Sequence, residues 1–132
     1  MGGWVKSKAE EIRGRSEGLL PSQIAEAEGI DVVEVEDMPR RIGDMYALGT
    51  MVLPAGLPRP ERELRIAHCL GHHFQHSGNQ VWFQVLGIWF RGKQEWEADE
   101  FAAWLVSPEV RSRCHDCREA LAVLRNDHSW LW

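Results

Sequence analysis

His68 and His72 stand four residues apart in the stretch "RIAHCLGHHFQH", Arg65 to His76. On a helix that spacing brings both imidazoles to one face, about one turn apart, as two ligands of one tetrahedral zinc require. A third protein ligand must come from elsewhere in the chain, leaving one coordination position for water. Glu95, within "KQEWEADEFAAWLVSP", is the candidate. Asp99 lies one turn beyond Glu95 and is placed to accept the outer N–H of a ligating histidine, which would fix that ring's tautomer. Glu97 falls on roughly the opposite face and is a poor substitute. Gly71, between the two histidines, would let another backbone approach closely. An isolated His-x-x-x-His pair is weak evidence for metal. The pair, the glycine and a downstream Glu-x-x-Ala-Asp together are stronger.

Two helices must carry these groups. "PERELRIAHCLGHHFQH" interleaves Leu64, Ile66, Ala67, Leu70 and Phe74 with polar residues, the pattern of a helix of about four turns. Pro60, Glu61 and Glu63 suit its first turn. The second helix, over "KQEWEADEFAAWLVSP", is expected to build its apolar face from Trp96, Phe101, Trp104 and Leu105 and to end at Pro108. Before them, Val5, Ala9, Ile12 and Leu19 follow helical spacing, and "PSQIAEAEG" offers Ser22 as an N-cap and Gly29 as a stop. "IDVVEVEDMP" reads as a strand, and "GDMYALGTMVLPAG" as two short strands turning near Gly49 and Thr50. "VWFQVLGIWF" reads as a buried strand or extended loop, and "EALAVLR" as a last helix. The expected fold class is α+β: an N-terminal helix, a small antiparallel sheet and the two metal-bearing helices. One domain is expected over 1–132, with the metal core at about 60–108.

"AHCLGHHFQH" together with "QEWEADEFAAWLVSP" resembles the ImmA/IrrE-type zinc metallopeptidases, of the gluzincin class. In that family one helix carries His-Glu-x-x-His, and a second carries Glu, then Ala-Asn or Ala-Asp, then "FAA". The likeness is close over about residues 60–108, and "PSQIAEAEGI" is similar to the family's usual lead-in. It implies a zincin-like fold with Zn2+ held by His68, His72 and Glu95, and with Asp99 behind them. It also implies a protein or peptide substrate, a repressor of the helix-turn-helix type being the family's usual one. Cys69 departs from the pattern, because it occupies the position of the general-base glutamate. A positioned acid/base group is worth roughly 10²–10⁴-fold in rate, so peptide-bond hydrolysis is expected to be weak or absent. Cys69 is most simply a small residue filling the space of the missing carboxylate; a weak base, nucleophile or redox-sensitive ligand is the alternative. His73 and His76 are expected to make packing or polar contacts. The rival reading is a binding module on the same scaffold that holds a protein or peptide and cuts nothing.

The remaining features bound the partners. A formal net charge of −5 and a pI near 5.7 argue against direct nucleic-acid binding. No run approaches the ~18 apolar residues of a membrane span. Three cysteines and a start without a signal-like apolar run fit a cytoplasmic domain with reduced thiols. "CHDC", Cys114 to Cys117, has the spacing of a redox or zinc pair but no second pair nearby, and reads as coincidence. Trp82, Trp89, Trp96 and Trp104 are expected in the core, Arg40, Arg41, Arg111 and Arg113 on the solvated surface. Trp130 and Trp132 either fold back or meet a partner.

Overall fold

The computed structural model describes residues 3–38, 45–75, 82–83 and 93–131, with backbone alone at 82–83. Helices α1 (Gly3–Arg15) and α2 (Pro21–Ala27) precede strands β1 (Asp31–Val35), β2 (Met45–Ala47) and β3 (Thr50–Pro54). Helix α3 (Arg59–Gln75), strand β4 (Trp82–Phe83) and helix α4 (Lys93–Val106) follow, then α5 (Pro108–Arg113), α6 (Cys117–Asn126) and a 3-10 turn at Ser129–Leu131. The class is α+β, as expected. His76, Trp89, Arg40, Arg41 and Trp132, and the side chain of Trp82, lie outside the described residues.

The sheet is mixed rather than antiparallel, with strand order β1-β3-β2-β4. β1 runs parallel to β3, while β2 is antiparallel to both β3 and β4. The turn at Leu48 and Gly49 sets the antiparallel pairing of β2 with β3. Both residues have positive φ (48° and 82°), the backbone of a tight hairpin whose twist matches its strands. β3 therefore folds back along β2 and enters between it and β1. As a central strand it buries Met51 and Leu53 completely.

α3 packs against β2 and β3, α2 against β1, and α1 against α4. Val5, Ala9 and Ile12 turn α1 inward, whereas Leu19 stays exposed beyond its end. Arg13 reaches across to the end of α4, where its Nη1 donates to the Leu105 carbonyl at 2.6 Å. A cation there complements the negative end of the helix dipole. The N-cap of α2 is Leu20 rather than Ser22, because Pro21 supplies a first helical residue with preset φ. The Gln23 side chain accepts the Leu20 N–H at 2.8 Å, and buried Glu63 of α3 accepts the Ser22 N–H at 2.9 Å. Gly29, at φ 73°, follows the end of α2 as expected.

α4 departs from expectation in the face it buries. Trp96 is 44% exposed, and Trp104 is only half-buried, under Lys6 (4.6 Å) and Arg111 (5.2 Å). Phe101 and Leu105 are buried as expected, and the inward face also carries Glu95, Ala98, Asp99 and Ala102. The helix ends at Val106, and Ser107 then caps α5 with Pro108 in its first turn.

Candidate metal centre

Helices α3 and α4 make the most extensive helix–helix contact of the fold, and their closest approach is at Gly71. A β-carbon built there would lie 2.8 Å from the Ala98 Cα and 3.0 Å from its carbonyl oxygen. Only glycine lets the two backbones meet so closely. The crossing sets two pairs against each other, His68 and His72 on α3 and Glu95 and Asp99 on α4. Each pair is spaced four residues apart, so each presents its two side chains on one helix face.

The four side chains meet in a buried cluster. His68 Nδ1 donates to Asp99 Oδ1 at 2.6 Å, and this bond leaves Nε2 as the ring's inward atom. His68 Nε2 is 2.7 Å from Glu95 Oε2 and 3.2 Å from His72 Nε2, and His72 Nε2 is 3.2 Å from Glu95 Oε1. One ligand atom from each of His68, His72 and Glu95 thus lies within 4.8 Å of the others. Ligands about 2.0–2.1 Å from a tetrahedral zinc are separated by roughly 3.3 Å, close to two of these three distances.

The electrostatics ask for a cation at the same point. With Nδ1 protonated, a neutral His68 turns a lone pair toward the Glu95 carboxylate, which is repulsive unless a proton or a metal lies between. The ring answers with a proton. Burial pulls its pKa down, but the Asp99 and Glu95 carboxylates outweigh burial and raise it to about 10. Burial pushes the Glu95 carboxyl up, yet its bonds to His68 and His72 win and hold it at about 2. Two carboxylates facing two imidazoles would be neutralised by one divalent ion. Two nitrogens and one carboxylate oxygen are also a donor set suited to zinc and its neighbours. The residues fit a divalent transition metal.

Cys69 is buried. Among the described residues the converging group comprises His68, His72 and Glu95, without Cys69. Nearby Tyr46 of β2 hydrogen-bonds His73 Nδ1 at 2.6 Å, and His73 Nε2 lies 3.4 Å from Glu28 Oε1. The Tyr46 pKa is raised by burial, against a hydrogen bond with the Gly49 backbone. His73 thus makes the polar contacts expected of it. Glu97 is buried outside the cluster.

Several supporting residues carry no sequence signal. Gln75 donates from one amide nitrogen to the Gly71 carbonyl (3.1 Å) and the Glu97 carbonyl (3.3 Å), tying α3 to α4 beside the crossing. Glu61 accepts from Arg65 (3.4 Å) and Arg125 (2.8 Å). Arg111 grips Glu100 with two bonds of 2.8 Å, so it is not the solvated residue expected. Cys114 and Cys117 are free thiols. Burial, with Glu100 and Asp99 nearby, pushes Cys117 up to about 12, the setting of an inert core thiol. Trp130 folds back, donating from Nε1 to the Leu124 carbonyl at 2.9 Å.

A cavity of about 740 Å³ between α1, the start of α2 and the end of α4 shares no lining residue with the cluster. Among the described residues no helix is long and apolar enough to cross a membrane. The family model of the IrrE N-terminal-like domain matches residues 25–115, which include all four side chains. No curated protein and no solved structure matches the chain.

Proposed function

The chain belongs to the family of the IrrE N-terminal-like domain, and from that membership we propose that it is a zinc-binding, metallopeptidase-like protein that acts on a protein partner. His68, His72 and Glu95 would hold the ion. The observation that carries this reading is the convergence of His68 Nε2, His72 Nε2 and the Glu95 carboxylate on one buried point. Bound zinc supplies Lewis acidity toward a carbonyl. Everything else falls to the chain. Asp99 orients His68, and Glu95 is a ligand only, since both its oxygens face the histidines.

No carboxylate stands at position 69 to take a proton and pass it to a leaving amine. The buried Cys69 thiol is shorter than a glutamate and does not join the converging atoms. Peptide-bond hydrolysis is therefore weak or absent. The same observation favours the second reading, a module that binds a protein or extended peptide on the scaffold without cutting it. A helix-turn-helix repressor is the partner that the family likeness suggests, and the acidic chain is expected not to bind nucleic acid directly.

Elemental analysis tests the metal. One zinc per chain in the parent, lost in both His72→Ala and Glu95→Ala, is the expected result. A parent that takes up no zinc when supplied would leave only the binding module.

A further inference from the structure

Among the described residues, β1 forms the edge of the sheet away from β2. Its ladder with β3 pairs five consecutive residues from Asp31 to Val35, without a bulge. The Asp31 N–H donates to the Gly49 carbonyl at 3.0 Å, and the Ala55 N–H donates to the Val35 carbonyl at 2.9 Å. In a parallel ladder the bonding residues alternate, each sending both backbone groups to the same neighbour. Asp31, Val33 and Val35 therefore serve β3, and Val32 and Glu34 turn their N–H and C=O groups away from it.

Beside this strand lies a groove that Val32 helps to line. It measures about 420 Å³ and lies between β1 and the outer side of α2, walled by Ser22, Gln23, Glu26, Asp31, Val32 and Arg62. A strand edge running beside a helix is the setting in which a peptide adds a strand to a sheet. Natural edges are guarded by proline, bulges or charge, and β1 has charge alone. Glu26 and Asp31 line the groove, Glu34 is bonded to its Arg62 wall, and Glu36 and Asp37 follow β1 directly in the chain. Arg62 is already engaged, 2.6 Å from Glu34 and 3.8 Å from Glu63.

That charge selects the occupant. A second copy of this chain would set Asp31, Glu34, Glu36 and Asp37 of one β1 against the same residues of the other, and like charges across a strand pair are unfavourable. A basic segment meets no such penalty. Glu34 points toward α3, where it meets Arg62, while Val33 and Val35 are 43% and 38% exposed on the opposite face. We propose that β1 and α2 form a docking groove for an extended segment of a partner protein with alternating basic and aliphatic residues. Its cationic side chains would meet Glu26 and Glu34, and its aliphatic ones would lie beside Val33 and Val35. The backbone of Val32 and Glu34 would bond it. The groove shares no residue with the metal cluster, so this inference stands or falls separately from zinc binding.

Titration of the isotope-labelled full chain with an eight-residue peptide of alternating lysine and valine tests it by NMR. The expected result is a saturable shift of the Val32 and Glu34 amides, with slower hydrogen exchange at both. A glutamate–valine peptide should leave them unmoved. In the double variant Glu26→Gln, Glu34→Gln, both exposed and outside the core, binding should weaken by about three- to tenfold. The proposal is overturned if the lysine–valine peptide shifts other amides only or binds the double variant equally well. It is also overturned if the Val32 and Glu34 amides are already protected in the peptide-free chain, whether by a strand of the same molecule or by a second copy.

Discussion

Gly71→Ala adds one methyl group at the point where α3 and α4 touch. The new carbon would sit 2.8 Å from the Ala98 Cα, 3.0 Å from its carbonyl oxygen and 3.2 Å from its Cβ. Carbon atoms rest at about 3.5–4.0 Å, so the helices must separate by most of an ångström. Two of the three clashing atoms are backbone and cannot rotate aside. Overpacking of a buried contact costs about 1–3 kcal/mol, offset by the roughly 1 kcal/mol that alanine gains over glycine within a helix. We expect a net loss of up to about 2 kcal/mol. Gly14→Ala in α1 is the control, since nothing lies within 4 Å of a β-carbon there. The helix preference should then act alone and stabilise by about 0.5–1 kcal/mol. The same substitution thus changes sign between the two sites. Urea unfolding of chelator-treated protein reads it, with a midpoint lower by up to about 1 M for Gly71→Ala at a slope of about 2 kcal/mol/M. Zinc affinity, measured by competition with a chromophoric chelator, should fall at least about tenfold, because ligand positions tolerate only about 0.2 Å. A Gly71→Ala protein as stable as Gly14→Ala, or binding zinc like the parent, would refute the close crossing as the device that assembles the site.

Other consequences follow from the same geometry. Asp99→Ala removes the acceptor of the His68 Nδ1–H, and zinc affinity should drop about 10–100-fold while far-ultraviolet circular dichroism stays unchanged; an undiminished affinity would deny Asp99 its orienting role. Cys69→Glu in zinc-loaded protein should raise peptide hydrolysis by about 10²–10⁴-fold over the parent, measured on a denatured protein substrate. No gain would favour the binding module. Iodoacetamide at pH 8 should modify half-buried Cys114 well before Cys117, whose thiolate fraction at a pKa of about 12 is on the order of 10⁻⁴. Peptide mapping with and without urea should show Cys117 reacting only after unfolding, and early labelling would contradict its place in the core.

The metal cluster was legible because every relation within it is helical. His68 to His72 and Glu95 to Asp99 are both steps of four, and Gly71 marks the close contact between their helices. Helical geometry turns such spacing directly into a shared face. The sheet was not legible in the same way. Whether β3 pairs beside β1 or only beside β2 depends on contacts across nineteen residues, Asp31 to Thr50, for which the local pattern holds no signal. Trp96 failed for another reason. Of the large residues expected on the apolar face of α4, Phe101 and Leu105 are buried, but Trp96 is not, and the helix buries carboxylates and alanines beside them. Residue type suggests burial only while no specific partner waits inside. Two histidines waited for Glu95 and Asp99, and Trp96 was turned outward as a result. The Tyr46–His73 and Gln75 contacts join residues with no shared periodicity, so only the folded chain reveals them.

The inward turn of α4 bears on why a cation matters to this fold. Glu95, Asp99, His68 and His72 are all buried, and charges withdrawn from water cost several kcal/mol each unless they are paired and hydrogen-bonded. In the metal-free chain the proton on His68 supplies part of that pairing, and Asp99 and Glu95 hold it there. A single proton satisfies one ring, while the second imidazole still turns its Nε2 toward the first at 3.2 Å. A divalent ion would satisfy both rings and the carboxylate at once. The crossing at Gly71 and the bond from His68 to Asp99 lose most of their physical purpose without such an ion. Hydrolysis, by contrast, depends on a group at position 69 that none of these contacts requires. On the proposed reading metal binding and catalysis would therefore be separable, and the geometry argues for the first more strongly than for the second.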